Sequence, residues 1–198
     1  ILAGAEKAAG DDTYKQVFFK TLIIVLATTA LRLSEVCSLK LSKIRFNEDV
    51  QKATITVVGK GGKERTIPFP KLTQEYILEY LSVRPHRTEQ SDESHDALFW
   101  VHSQRYGYTT LKKYTLVHYI QDISQATGIP FTAHSFRHYR ITMWMDEDQI
   151  NPSHAQLWAG HSDLKTTQGY THIRDVDALA SAYRAGYDEL GLSQKPKV

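Results

Sequence analysis

The stretch 53-ATITVVGKGGKERTIPF-69 decides the fold class of this chain. Residues 53–58 are rich in β-branched side chains, and 64–69 again carry β-branched and aromatic ones, so each segment favours a strand. Between them lies 59-GKGG-62, a glycine-rich turn in which positive φ angles cost little. The stretch therefore predicts an antiparallel β-hairpin.

Helical patterns lie on both sides of this hairpin. Upstream, Asp12 can cap a helix whose broad apolar stripe ends near Arg32, and Ser34 can cap a short helix over 35–39. Downstream, apolar side chains recur at helical spacing in 72–83, 111–127, 134–145, a segment that opens at Asn151-Pro152 and ends at Gly160, and 176–190. A short strand is predicted over 97–101, after an exposed polar loop over 85–96. The sequence thus predicts an α+β fold, mainly helical with a small antiparallel β-sheet.

Composition places the chain among globular proteins. It has 198 residues, of which 41% are hydrophobic and 23% are charged, enough for one domain with a sizeable core. Its single cysteine, Cys37, excludes an intramolecular disulfide and favours a reducing compartment. The longest uncharged apolar stretch, 21–31, is about half the length that a bilayer span needs. We therefore expect a cytoplasmic protein without a membrane partner.

Charge is distributed unevenly along the chain, although the net charge is only +2. Residues 51–70 hold four basic side chains against one acidic, whereas 71–100 hold three basic against six acidic. This segregation favours a basic face and an acidic face. Ordinary solvated surface is the alternative that charge alone leaves open.

Five polar stretches stand out in chain order. They are 31-LRLSE-35, 59-GKGGKER-65, 134-HSFRH-138, 160-GHS-162 and 168-QGYTH-172. Together they resemble the tyrosine recombinase (phage integrase) family, whose pattern is Arg, Lys, His-x-x-Arg, His or Trp, and then Tyr. The resemblance covers about 21–173, and six positions in the right order are far more specific than any one of the motifs.

Two of these positions, Arg32 and Arg137, suit phosphate chemistry on physical grounds. A guanidinium is always charged and can donate to two oxygens at once, which matches the negative charge of a phosphodiester transition state. Glu35 lies three residues after Arg32, on the same helical side, and can hold it in place. His134 and Arg137 are also three residues apart, so one helical turn presents both to the same point.

Lys60 lies in the predicted hairpin turn, from which it can swing towards a bound phosphate. The resemblance implies that this lysine is the general acid that protonates the leaving 5′-oxygen. Lys63 competes for the same role, but Lys60 follows the strand directly and matches the family position. We expect Lys63 and Arg65 to contact DNA.

The resemblance makes Tyr170 the nucleophile. It implies that His134 transfers a proton with this tyrosine and that His161 donates a hydrogen bond to a non-bridging oxygen. A phenol has a pKa near ~10 and is a poor nucleophile without neighbouring cations and a base, which the site would supply. The chain has 11 tyrosines, and Tyr139, beside Arg137, is the other one to test.

The function that the resemblance implies is site-specific DNA recombination. Tyr170 would cleave a strand and form a 3′-phosphotyrosyl intermediate, which the 5′-hydroxyl of a partner strand then attacks. No metal ion and no nucleotide cofactor are expected, since the bond energy is conserved. Duplex DNA in the nucleoid is the expected partner. Strand exchange implies a homo-tetramer on DNA, in which the helix over 176–190 packs either on a neighbouring protomer or on its own core.

Domain boundaries follow from the same resemblance. The family has an upstream helical DNA-binding domain without a counterpart here, so we expect a linker over 1–11, the catalytic domain over 12–190 and a disordered tail over 191–198. Residues 143–153 are more acidic than the family pattern and can shift the helix that positions His161.

Three other functions remain open at the level of the sequence. A type IB topoisomerase uses similar residues but rejoins the same strand. A non-catalytic DNA-binding domain would use the basic hairpin for phosphates and leave the tyrosine incidental. A zinc enzyme would use histidines, although no carboxylate or cysteine lies at ligand-like spacing beside them. The candidate histidines are His134, His138, His154 and His161.

Overall fold

The computed structural model describes residues 1–46, 53–85, 96–103, 105, 107–148 and 150–160, with the backbone alone at Lys60. These ranges contain seven α-helices and two antiparallel sheets. The helices are α1 Leu2–Ala9, α2 Thr13–Thr29, α3 Leu33–Cys37, α4 Lys71–Val83, α5 Lys113–Thr127, α6 Ala133–Asp146 and α7 Pro152–Ala159. The strands are β1 Ile44–Arg45, β2 Thr54–Val58, β3 Glu64–Pro68, β4 Trp100–Ser103 and β5 Gly107–Thr110. The predicted α+β class is confirmed.

Helix α2 is the central element of the core. Its side chains are buried on nearly all sides, because α1, α4 and α6 pack around it. The Asp12 carboxylate caps its start by accepting from the Lys15 amide at 2.9 Å. Buried hydroxyls are also satisfied: Thr28 donates to or accepts from Thr73 at 2.8 Å. Ala30, in the left-handed region at φ 53°, ends the helix and directs the chain into α3.

The predicted hairpin is present as β2 and β3, the second and third strands of a sheet with order β1-β2-β3. Its register pairs Ile55 with Ile67 and Val57 with Arg65, and all four of these side chains point inward. A single 3-10 turn, Lys60–Gly62, joins the strands, with positive φ at Gly61 (78°) and Gly62 (76°). The two-residue strand β1 was not predicted, because it is too short to show an alternating pattern.

The expected linker over 1–11 requires a correction. Residues 2–9 form α1, which packs against α2 and α5, and Ala5 is fully buried. Contact with α5 is close: a Cβ on Gly4 would lie 2.1 Å from Thr127 Cγ2. The segment 2-LAGAEKAA-9 gave no strong apolar stripe because its core contacts come from small residues, yet alanine is the best helix former.

Other predicted boundaries moved by a few residues. The short helix predicted over 35–39 is α3, which starts at Leu33 with Arg32 as its N-cap. The strand predicted over 97–101 is β4, which pairs with β5. Most of the loop over 85–96, the helix over 176–190 and the tail over 191–198 lie outside the described residues. Across the described helices, none is both long and apolar enough to span a bilayer.

Candidate active site

Helix α6 positions two of the predicted site residues, His134 and Arg137, in its first two turns. Its start is fixed by a capping box in which Ser135 and Thr132 exchange hydrogen bonds between side chain and backbone. Arg137 is 5% exposed, and its guanidinium donates to the Ala30 carbonyl at 2.5 Å and the Ala159 carbonyl at 2.7 Å. The buried guanidinium therefore joins the end of α2 to the end of α7.

Glu35 holds Arg32 at the start of α3. One carboxylate oxygen accepts from the Arg32 backbone amide at 2.7 Å and the other from its Nη1 at 3.0 Å. The Arg32 side chain stays 38% exposed, whereas that of Glu35 is 5% exposed. A buried carboxylate thus holds both the backbone amide and the guanidinium of Arg32, while the Arg32 side chain still faces solvent.

Arg65 is buried, although an exposed side chain in contact with DNA was expected at this position. It is 8% exposed, and its Nη1 and Nη2 donate to the two Glu35 oxygens at 2.7 and 2.8 Å. Its Nε donates to the Trp158 carbonyl at 2.8 Å. The physical reason is the strand period: Arg65 shares the inward face of β3 with Ile67, so its side chain points into the protein. Lys63, just before β3, is exposed as expected.

Three arginines bind three consecutive carbonyls at the C-terminal end of α7. Arg65 donates to Trp158, Arg137 to Ala159, and Arg32 to Gly160 at 2.6 Å. The last carbonyls of a helix have no partner within the helix and carry its negative dipole end, so cations are favoured there. We call Arg32, Arg65 and Arg137 the arginine clamp. It fixes the chain immediately before residue 161.

The Glu35 carboxyl is held in its charged form. Burial alone would raise its pKa, but hydrogen bonds and charge from Arg65 and Arg32 outweigh burial and hold the pKa below the ordinary value of 4.5. Two positive charges against one carboxylate leave an excess of positive charge at this point. An anion is the natural complement of such a site.

Gly160 packs directly on the arginine clamp, which makes its replacement informative. Its φ is 68°, and a Cβ there would lie 3.0 Å from Arg65 Cζ and Nε and 3.2 Å from Arg32 Nη1. Gly160→Ala is expected to lower the free energy of unfolding through backbone strain of about 1–2 kcal/mol. Displacement of the guanidiniums adds about 1–3 kcal/mol, as overpacking does. Denaturant unfolding measures the sum.

Gly128→Ala is the matched control for this substitution. Gly128 also ends a helix in the left-handed region, at φ 70°, but a Cβ there meets nothing within 4 Å. It should therefore show the backbone cost alone. Equal losses at Gly160 and Gly128 would contradict the close packing of Gly160 on the clamp.

A cavity of about 450 Å³ opens beside Arg32, His134 and Arg137. Its remaining walls are largely apolar, from side chains of α5, the segment 31–33 and the segment before α6. These wall residues include Leu31, Leu33, Val117, Ile120 and Phe131. Charged groups at the edge of an apolar cavity act in a lower dielectric than water, so their effect on a bound anion is stronger.

His134 and His138 lie one turn apart on α6 with their Nε2 atoms 2.5 Å from each other. One of the two nitrogens must donate and the other accept, so the pair cannot carry a proton on both. Burial, His134 and Arg137 together lower the pKa of His138. His134 thus has a neutral neighbour with which it can share a proton.

The remaining predicted residues have these positions. The backbone of Lys60 lies in the hairpin turn, while His161 and Tyr170 lie outside the described residues. Tyr139 is buried on α6, with 5% exposure. Within the described part of the chain, no three His, Cys, Asp or Glu side chains come together as metal ligands would. His154, one of the zinc candidates, stacks on Trp158 in α7 instead.

Sequence reasoning missed the role of Arg65 and the three carbonyls of α7. The sequence did carry a signal for the burial of Arg65. It precedes Ile67 by two residues, so both side chains lie on the same face of β3, and Arg65 pairs with Val57 of β2. Its partner Glu35 is 30 residues away and had been assigned only to Arg32. The carbonyls are backbone atoms, which every residue has, so no side-chain pattern could point to them.

Comparison with known proteins identifies the family of this chain. The model of the phage integrase family matches residues 5–176. Tyrosine recombinase XerA of Pyrococcus furiosus is 34% identical over 155 residues, which make up 78% of this chain and 50% of the relative. The chain spans about half the length of the curated relatives it matches.

Solved structures show the same fold. The crystal structure of XerA recombinase matches with a TM-score of 0.66 and 28% identity, over 100% of this chain and 64% of the other. XerH recombinase bound to its difH substrate matches with a TM-score of 0.67 and 24% identity, over 90% of this chain and 49% of the other. With the family model covering most of its length, the chain belongs to the phage integrase family.

Proposed function

We propose that the chain carries the catalytic site of a tyrosine recombinase, which cleaves and rejoins DNA strands at a specific site. The observation that carries this is the convergence of Arg32 and Arg137. They come from distant parts of the chain, bind adjacent carbonyls of α7 and line the same cavity. Paired guanidiniums at one point suit the non-bridging oxygens of a phosphodiester.

Arg32 retains donors for a phosphate. A guanidinium has five N–H groups, and the contacts of Arg32 within the described residues use one on Nη1 and one on Nη2. Three therefore remain, on a side chain that is 38% exposed. Because Glu35 and Gly160 already fix its orientation, little reorganisation is needed when charge develops on the phosphate.

The proposed cleavage step balances without a metal ion or cofactor. Tyr170 loses its phenolic proton to His134, and its oxygen attacks phosphorus. The bond from phosphorus to the 5′-oxygen breaks, and Lys60 protonates that leaving oxygen. The 3′-phosphotyrosyl bond conserves the energy of the broken bond. His161 donates to a non-bridging oxygen.

In the second step the 5′-hydroxyl of a partner strand attacks the phosphotyrosyl bond and releases Tyr170. The largely apolar walls of the cavity favour this over hydrolysis, because they limit the access of water. Duplex DNA is the proposed partner, and XerH has been solved bound to its substrate difH. Strand exchange between two duplexes calls for a tetramer on DNA, with the nucleoid as its location.

Covalent trapping tests the proposal. Nicked duplexes with randomised arms around the nick let the adduct select its own sequence, and chelator is present throughout. We expect a denaturation-resistant adduct with the wild-type chain and with Tyr139→Phe, but none with Tyr170→Phe. Tyr139→Phe is the matched control because it is the same substitution at a buried tyrosine of α6, two residues after Arg137.

The alternatives give different results in this assay. An adduct that survives in Tyr170→Phe would contradict the assignment of the nucleophile. Binding without any adduct would overturn cleavage and leave a non-catalytic DNA-binding domain. A 5′-hydroxyl strand from a second duplex, added after trapping, is expected to be joined. Rejoining of the original strand alone would indicate a topoisomerase.

A further inference from the structure

We propose that Arg65 is a positioning residue for strand cleavage, acting through Glu35 on Arg32 rather than by contact with DNA. This inference rests on the proposed function, whose nucleophile and phosphate ligands it takes as given. Arg65 is 8% exposed and lies behind Glu35 and Gly160, which are themselves in contact with Arg32. A phosphate group therefore has no direct route to its guanidinium.

The first step of the argument is the complete occupation of the Glu35 carboxylate. Oε1 accepts from Arg65 Nη1 and Arg32 Nη1, while Oε2 accepts from Arg65 Nη2 and the Arg32 backbone amide. A carboxylate has about four acceptor positions. All are filled, half of them by Arg65. Without Arg65, Glu35 keeps only its two contacts to Arg32, and one of these is to the guanidinium that it has to position.

The second step is the planar geometry of the Arg65–Glu35 pair. Two parallel bonds of 2.7 and 2.8 Å define both the distance and the plane of the carboxylate. Arg32 Nη1 bonds to that same carboxylate, so its guanidinium takes its position from Arg65 through Glu35. A lysine at position 65 keeps the charge but cannot define a plane.

The third step connects the pair with two further parts of the site. The Nε of Arg65 holds the Trp158 carbonyl, so Arg65 also fixes the end of α7 that leads to residue 161. Arg65 is the second residue of β3, three residues after the hairpin turn Lys60–Gly62, and its Nη1 would lie 3.5 Å from a Cβ on Gly59. One side chain thereby links the hairpin, α3 and α7.

A purely structural ion pair is the competing explanation, and the experiment separates the two. Single-turnover adduct formation at saturating nicked duplex is measured for wild type, Arg65→Met and Arg65→Lys. We expect a loss of about 10²-fold for Arg65→Met, the size produced by misplacing a reacting group by 1 Å. Arg65→Lys is expected to fall between Arg65→Met and wild type.

Arg45→Met is the matched control. Arg45 is exposed on β1 of the same sheet, so this variant removes the same positive charge without touching Glu35. We expect it to retain the wild-type cleavage rate at saturating DNA. A cleavage rate of Arg65→Met within a few-fold of the Arg45→Met rate would overturn the proposal.

A double-mutant cycle identifies the route of action. If Arg65 acts through Glu35, the double variant Glu35→Gln/Arg65→Met should cleave no more slowly than the slower single variant. Multiplied losses would contradict that route. The double variant also removes both buried charges together, so it is expected to fold even if Arg65→Met alone does not.

One further measurement does not depend on cleavage. In wild type the Nε–H resonance of Arg32 should be a single sharp NMR signal, and in folded Arg65→Lys it should broaden or shift. An unchanged signal would contradict positioning. If the proposed function fails but Arg65 still positions Arg32, wild type will form no adduct, while the Arg32 Nε–H signal will still differ between wild type and Arg65→Lys.

Discussion

Arg137→Lys is expected to lower the rate of adduct formation about 10³-fold while the protein remains folded. Arg137 donates through separate nitrogens to the Ala30 and Ala159 carbonyls, which fixes its plane between α2 and α7. Lysine is a point charge on a flexible stem and cannot hold both carbonyls in that geometry. Loss of one preoriented donor to a developing oxyanion costs about 10²–10³-fold, and the lost orientation brings the value to the upper end.

The measurement is single-turnover trapping at saturating duplex, which removes differences in DNA affinity. Arg140→Lys is the control, because Arg140 lies one turn later on α6 and its pairing with Asp148 at 2.8 Å can be kept by lysine. We expect Arg140→Lys to cleave at nearly the wild-type rate. Equal rates for the two variants would show that a positive charge at position 137 is sufficient, without the paired N–H donors of a guanidinium.

The arginine clamp orients the donors of the proposed phosphate site through contacts within the protein. Each of its three guanidiniums already has a fixed acceptor at the end of α7, where an unpaired carbonyl would otherwise be buried or solvated. Orientation of the donors is therefore part of the folding of the protein. Their preorganisation is then present before the phosphate arrives, which is the condition for electrostatic stabilisation of a transition state.

Much of the fold could be predicted from local patterns. The hairpin has β-branched strands around a glycine turn, and helices α2, α4, α5, α6 and α7 have apolar positions at helical spacing or clear caps. Helix α1 could not be predicted in this way, since it packs through Gly4 and Ala5. Small residues give close contact but little hydrophobic signal.

The site was predictable only in part, for a physical reason. Spacing of three linked Arg32 with Glu35 and His134 with Arg137, because such pairs are neighbours on a helix. The pairing of Arg65 with Glu35 joins a strand to a helix, so it depends on the tertiary structure. A basic residue in a basic hairpin is more often exposed, which is why a DNA contact was expected there.

Glu35→Gln is expected to lower the free energy of unfolding by about 3–5 kcal/mol at neutral pH. The substitution keeps the size of the side chain but removes its negative charge. That charge balances the guanidiniums of Arg65, which is 8% exposed, and of Arg32. Removing one partner of a buried ion pair leaves the other charge buried and uncompensated, and this gives the stated magnitude. Denaturant unfolding at pH 7 measures it.

The pH dependence of this difference provides a second, independent check. The pKa of Glu35 is lowered in the folded protein, so the unfolded chain takes up the proton first as the pH falls. The stabilisation by Glu35 is thus fully present above its ordinary pKa of 4.5 and is lost as the pH falls through the lower folded value. Glutamine does not titrate in this range. The difference in the free energy of unfolding between wild type and Glu35→Gln should therefore narrow below about pH 4.

Glu79→Gln distinguishes this effect from the general loss of a carboxylate. Glu79 is exposed on α4, and its substitution should change the free energy of unfolding by no more than about 0.5 kcal/mol. If the difference in the free energy of unfolding between wild type and Glu35→Gln stayed constant from pH 7 to pH 3, a charged, arginine-bound Glu35 would be contradicted. A difference that narrows with acid, beside an unaffected Glu79→Gln, would show that the ionised Glu35 carboxylate stabilises the folded protein.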